Sequence, residues 1–292
     1  MNIIHIVEQC SSYINQGDSM KKAFTLAEGA THVVNWDNSR KIAFTLAEVL
    51  ITLGIIGVIA AMTLPSLITN YQEKARVAQL KRVYSVLSQA YVSAIQENGT
   101  PDEWGMGGTY DENSHLILAN NLKKHLKLSQ DCTNMDGIQA TKTCGVIDSN
   151  EGNNMLKWIG ATSYKSVVLS DGTIVLFRLW TSSCNGNYIG DTETCGEIAV
   201  DLNGKKHPNS LGYDQFYFYI NKNKIVPFGV PASRLKFEQA CNKSINTPYP
   251  SFSEQSMYSC TAWVLYNENQ DYLHCDDLSW DGKHSCKEKS SK

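Results

Sequence analysis

The run from Phe44 to Leu64, FTLAEVLITLGIIGVIAAMTL, constrains this chain more than any other stretch, because it carries a single charge, Glu48. A helix needs about 20 such residues to cross a bilayer, at about 1.5 Å per residue, and the run has that length. It is too long and too uniform for the apolar part of an ordinary secretory signal, and no A-x-A cleavage site follows at a suitable distance. A buried helix of a soluble core is the competing reading, but such helices rarely run this far without polar residues. Arg40 and Lys41 precede the run, with Lys21 and Lys22 further upstream, which argues for a cytoplasmic N-terminus. Lys74, Arg76, Lys81 and Arg82 on the other side oppose that orientation. The cysteines decide between the two.

Of nine cysteines, all but Cys10 follow the run: Cys132, Cys144, Cys184, Cys195, Cys241, Cys260, Cys275 and Cys286. None is in a C-x-x-C, and their neighbours, such as Asp131, Thr133, Asn185, Asn242 and Asp276, are polar rather than the apolar company of buried thiols. An even, widely spaced set in loop-like sequence points to disulfides made in an oxidising compartment, so this part of the chain belongs outside the cytoplasm. Many pairings are open. Closure of short loops favours the sequential set Cys132–Cys144, Cys184–Cys195, Cys241–Cys260 and Cys275–Cys286. His274-Cys275 and His284-Ser285-Cys286 offer a zinc alternative, but no other pair has metal-ligand spacing.

Helical periodicity continues past the run. Val77, Leu80, Tyr84, Leu87, Tyr91 and Ala94 recur every three or four residues, with Glu73, Lys74, Arg76, Lys81 and Arg82 mostly on the other faces. Asn98-Gly99 is a helix stop. One helix of about 80 Å, at about 1.5 Å per residue, is therefore expected from Phe44 to Asn98, apolar all round in its first half and on one side in its second. A simple anchor has no need of that second half; a helix that packs a globular domain against itself does. Pro65 removes one intrahelical donor and predicts a kink or melted stretch near Met62–Leu64.

Beyond Gly99 the chain is polar and loop-rich, with a short helix predicted around Leu116–Leu128. Ser166–Leu169, an Asp171-Gly172 turn and Thr173–Leu179 read as a hairpin. Glu197–Leu202, a turn at Asn203-Gly204, Gln215–Ile220 and Lys224–Pro227 extend it. No long crossover helices intervene, so the sheet is antiparallel. A further short helix is expected within Thr261–Tyr272. The fold class is α+β: a long N-terminal helix, transmembrane and then amphipathic, packed on an antiparallel β-sheet with disulfide-bonded loops. Asp201, Asn203 and Asp214 carry oxygens that suit Ca²⁺, but the spacing lacks the closing acid of an EF-hand, and Asx-type turns are the preferred reading.

Ala43-Phe44-Thr45-Leu46-Ala47-Glu48 followed by the apolar run resembles the N-terminal signal of type IV pilins and type II secretion pseudopilins. The resemblance is close from Lys41 to about Asn98 and covers the rest in outline. It implies a pilin-like fold and cleavage between Ala43 and Phe44 by a membrane-embedded prepilin peptidase, which also N-methylates Phe44. Glu48 becomes the fifth residue after the cut, where the family carries its glutamate, and Pro65 the 22nd, where family helices often carry proline. Ala43 stands where the family usually has glycine. The implied partners are the peptidase, other pilin or pseudopilin subunits, and a bacterial inner membrane crossed once with the C-terminal domain outside. The implied product is a periplasmic or cell-surface filament. A lone carboxylate in hydrocarbon is costly and needs a partner, and cleavage creates one, the α-ammonium of Phe44 on a neighbouring subunit. Gly57 and Ala61 form a small-xxx-small pair that lets helices approach closely.

The hexamer occurs twice. Ala23-Phe24-Thr25-Leu26-Ala27-Glu28 is followed by GATHVVNWDNSR, which has no apolar run, so this copy reads as a vestigial duplicate in a long leader. Met20-Lys21-Lys22 resembles a typical short leader start. The expected organisation is a leader at 1–43, a membrane and polymerisation segment at 44–64, an amphipathic helix half at 65–98, an outer domain at 99–286 and a disordered tail at 287–292. A formal net charge of -3 provides no electrostatic footprint for nucleic acid. No G-x-S-x-G, H-E-x-x-H or Walker loop is present. Neither enzymatic activity nor a cofactor is expected. The function expected is that of a structural filament subunit; the alternatives are a minor tip subunit that binds a ligand, a surface or DNA, and an enzyme tethered by the helix.

Overall fold

The computed structural model describes residues 45–108, 111–135, 137–145, 164–190, 193–241 and 257–288. The leader, both residues of the expected cut, the first copy of the hexamer and the last residues of the tail lie outside this set. The chain divides into two compact units, Met1–Ala60 and Ala61–Lys292. One helix, α1 (Leu46–Asn98), contributes to both.

In the first unit the described residues are Thr45 and the start of α1. Leu46, Leu50, Ile51, Leu53, Ile56 and Ile59 are all more than half exposed. Among the described residues α1 is the one helix long and apolar enough to cross a membrane, and none of its apolar window is buried.

In the second unit α1 changes character. Val77, Leu80, Val83, Leu87, Ala90, Tyr91 and Ala94 form a buried stripe with the three- and four-residue spacing of one helical face. Tyr84, at the stripe's edge, is half-buried and stacks on Phe218 with ring centroids 5.5 Å apart. The helix ends at Asn98, where Gly99 adopts φ +76° and its amide donates to the Ile95 carbonyl at 2.9 Å. Glycine enters this left-handed region without a Cβ penalty, which is why the stop falls there. The helix runs through Pro65 without a break, so no melted stretch occurs at Met62–Leu64. Proline deletes a single amide donor, and the turns on either side keep theirs; the Thr69 hydroxyl also donates to the Pro65 carbonyl at 3.0 Å.

The sheet is a six-stranded antiparallel meander in sequence order: β1 (Leu128–Asp131), β2 (Lys165–Leu169), β3 (Ile174–Leu179), β4 (Thr194–Asp201), β5 (Gln215–Asn221) and β6 (Ile225–Pro227). At the β2–β3 turn, Gly172 has φ +89° and the Asp171 carboxylate accepts from the Thr173 amide at 3.1 Å. Every residue of β4 and β5 is buried, because both faces of the sheet are covered. One face carries the α1 stripe and α2 (Glu112–Lys123). The other carries Trp180, Tyr188 and Tyr258 over Tyr217, Tyr219 and Phe228, an aromatic layer with centroid separations of 3.6 to 6.4 Å.

Helix α2 corrects the expectation of a helix at Leu116–Leu128. It begins four residues earlier, because the Asp111 side chain caps it by accepting from the Asn113 amide at 3.1 Å. It stops at Lys123, because Leu128 is taken into β1, paired with Leu169. A further helix, α3 (Thr261–Asn267), lies within the predicted Thr261–Tyr272, followed by a short 3₁₀ turn at Asp271–Leu273. Four disulfides staple the loops: Cys132–Cys144, Cys184–Cys195, Cys241–Cys260 and Cys275–Cys286. Each joins a cysteine to its neighbour in sequence and closes a short loop.

Candidate functional site

The start of α1 holds the residues that the sequence marks most strongly. Ala43 and Phe44 lie outside the described residues; Glu48 is described and exposed. The Thr45 amide donates to Glu48 Oε2 at 2.8 Å, the Thr45 hydroxyl donates to the same oxygen at 3.0 Å, and the Glu48 amide donates to Thr45 Oγ1 at 3.2 Å. This is a capping box, which satisfies amides that the first helical turn leaves without partners. The spacing T-x-x-E announces it, and reading the hexamer only as a cleavage signal overlooks it. The carboxylate of Glu48 is therefore oriented toward the N-terminal end of the helix by its own chain. Pro65 lies inside α1, in the second unit.

Asp201, Asn203 and Asp214 come together at the β4–β5 connection. Asp214 Oδ2 accepts from Asn203 Nδ2 at 2.8 Å and from the Asn209 amide at 3.0 Å, and its Oδ1 accepts from the Ser210 amide at 2.6 Å. Asp201 accepts from the Asn203 amide at 3.2 Å and from Gln215 Nε2 at 3.0 Å. With the Asn209 amide turned to suit its surroundings, its nitrogen donates to the Lys206 and Gly204 carbonyls and to Asp201 Oδ2. These are turn-locking bonds. Among the described residues no group of three or more His, Cys, Asp or Glu side chains is placed to hold a metal. The histidines of the zinc alternative point elsewhere: His274 Nε2 lies 2.8 Å from Glu73 Oε1 and His284 Nε2 lies 3.0 Å from the Trp280 carbonyl, while Cys275 and Cys286 are bonded to each other.

Burial pushes the Asp201 carboxyl up to about 8; the Gln215 hydrogen bond opposes this and the nearby Asp214 adds to it. Burial also raises Asp214. A carboxyl raised in the folded state holds a proton that the unfolded chain, titrating near 3.9, has lost, so its contribution to stability falls as pH rises between about 4 and 8. Asp201→Asn keeps the shape of the side chain and removes the charge that burial disfavours. The variant is expected to be more stable than the parent at pH 7.5 by about 1–2 kcal/mol and to differ little at pH 4, measured by urea unfolding.

A second buried carboxylate is made by tertiary structure alone. Glu197, on β4, is fully buried. It accepts from Arg178 Nη1 at 3.2 Å, Tyr164 Oη at 2.5 Å and Tyr258 Oη at 3.0 Å. Arg178 and Glu197 are register partners across β3 and β4. Tyr164 precedes β2 and Tyr258 comes from the C-terminal segment, so one carboxylate ties three parts of the chain. Burial raises both tyrosine hydroxyls, which keeps them protonated as donors. The signal for this cluster is a charge set among apolar residues in the middle of each of two strands, Arg178 in IVLFRL and Glu197 in TCGEIAVD. The oxygens of Glu197 are engaged, and the arrangement is a structural tie.

Fold and site together define a disulfide-stapled α+β protein, with a six-stranded antiparallel sheet built on a helix that is long and apolar enough for one membrane span. Residues 66–272 match the family of unknown function DUF6613, and the chain belongs to that family. The matched segment begins one residue after Pro65 and so takes in the amphipathic half of α1 and the sheet. No curated protein and no solved structure matches the chain.

Proposed function

We propose that this protein is a prepilin-like structural subunit of a type II secretion pseudopilus or type IV pilus, cut before Phe44 and assembled through its N-terminal helix. The observation that carries this reading is the change of character along α1. Its large apolar residues from Leu46 to Tyr71 are exposed, whereas from Val77 onward one face is buried under a sheet. A tether needs only the first part. A subunit that holds its own domain with one part and other helices with the other needs both. The hexamer before the run supports a peptidase cut, and four disulfides support an oxidising location for the sheet domain. The capping box supports a role for Glu48, since it presents the carboxylate toward the end where cleavage creates a positive charge.

Mass spectrometry of the purified assembled form tests the reading. The expected N-terminal peptide begins at Phe44 and carries an N-methyl group. A peptide that spans Ala43–Phe44 in the assembled form overturns it.

A further inference from the structure

In the second unit, the two flanks of α1 carry features of opposite shape and charge. On one flank lies a groove of about 470 Å³ between α1, the α2–β1 corner and the β2–β3 turn. Val86 is partly exposed in it, over the buried Val83, Ala90 and Leu169, and Arg82, His125, Lys127 and Asp171 line it as well. Arg82 is held by Asp171 at 2.8 Å and His125 by Glu97 at 3.2 Å, while Lys127 is exposed and has no ion pair among the described residues. The corner that frames the groove, NLKKHLKL at residues 121–128, holds three lysines; Lys123 pairs with Asp131 at 2.7 Å and Lys124 lies 3.8 Å from Glu97, so Lys127 is the one left for a partner.

The other flank carries the C-terminal lobe, fixed beside α1 by the Lys81–Glu268 ion pair and by Arg76, whose Nε donates to Gln270 Oε1 at 2.8 Å. Residues 257–288 hold six acids (Glu268, Asp271, Asp276, Asp277, Asp281 and Glu288) against two lysines. Tyr266, at the end of α3, leaves 64% of its surface exposed. Its ring rests edge-on against Trp280, centroids 6.0 Å apart, next in sequence to Asp281, which has no ion pair among the described residues.

We infer that the groove is the receptor for a second copy of this chain: Tyr266 of one subunit enters the groove of its neighbour and packs on Val86, with Asp281 facing Lys127. The inference rests on the filament reading above and specifies how neighbouring sheet domains engage. A projection and a receptor on different surfaces of one molecule make a heterologous contact, the kind that repeats into an open helix rather than closing as a two-fold dimer. Tyrosine suits the role, because a rigid ring fills an apolar depression at low entropic cost while its hydroxyl stays hydrogen-bonded. Asp281 against Lys127 sets the orientation, because neither of these two charges has an ion pair among the described residues of its own chain.

The test is photo-cross-linking in the full-length chain with p-benzoylphenylalanine in place of Tyr266, on the assembled form, with peptide mapping. Cross-links are expected to land on residues 82–93, 125–127 or 169–171 of a different copy. Lys127→Glu or Asp281→Lys alone is expected to lower the yield about fivefold, and the two together to restore it. Cross-links mapping elsewhere in filaments that form normally, or yields indifferent to both reversals, overturn this contact and leave the filament reading standing. Failure of the unsubstituted, processed chain to assemble at all overturns both.

Discussion

Arg178→Met is expected to destabilise the sheet domain by about 3–5 kcal/mol, read as a lower urea midpoint at unchanged slope with the disulfides kept oxidised. Glu197 is completely buried between strands, and Arg178 supplies the positive charge that bonds to it. Taking a carboxylate out of water costs several kcal/mol, which its partners offset in the native state. Methionine keeps much of the arginine's apolar stem but leaves the carboxylate to two tyrosine hydroxyls. The double variant Arg178→Met, Glu197→Leu removes both charges and is expected to recover most of the loss, since an apolar pair of similar volume needs no desolvation. Tyr258→Phe deletes one of three bonds to Glu197 and is expected to cost about 1–2 kcal/mol. A loss under about 1 kcal/mol for Arg178→Met would mean that water reaches Glu197 and the tie is weak.

Glu48→Ala is expected to reduce assembled filaments at least about tenfold, counted in sheared material, while urea unfolding of the sheet domain is unchanged. Alanine removes two things at once: the charge and the Glu48 half of the capping box with Thr45. Glu48→Gln separates them. Glutamine serves the same position in a capping box and carries no charge. If charge pairing with the Phe44 ammonium of a neighbour sets the axial register, glutamine is expected to fail as alanine does. If filaments form normally with glutamine and not with alanine, the cap is the requirement and the pairing argument is wrong.

Much of the architecture is legible in local pattern. The stripe through Val77, Leu80, Leu87, Tyr91 and Ala94 is a matter of spacing along one helix, and it is the face that the sheet buries. Gly99 ends the helix because only its own φ is at issue. The β2–β3 hairpin needs just Asp171-Gly172 and the two apolar runs beside it. Part of what local pattern misjudged involves partners distant in sequence. Leu126 and Leu128 fit a helical face extending from α2, yet Leu128 joins a strand because Leu169, far along the chain, offers it an edge to pair with. Pro65 reads as a break, yet the loss of one donor is too small to interrupt a helix whose other bonds persist.

The sites divide in the same way. Glu48 and its cap are contained in four consecutive residues, so the sequence by itself determined that a carboxylate stands at the head of an apolar helix. It also determined the helix, its two characters and the antiparallel class, because periodicity, turn chemistry and chain length act over a few residues. Only the tertiary structure decided that Arg178, Glu197, Tyr164 and Tyr258 meet, that Asp201 lies buried beside Asp214, and that a lysine-lined groove and an acidic lobe flank the same helix. These juxtapositions depend on strand register and on which segment covers which face, and burial makes those choices through contacts between residues that no local rule connects.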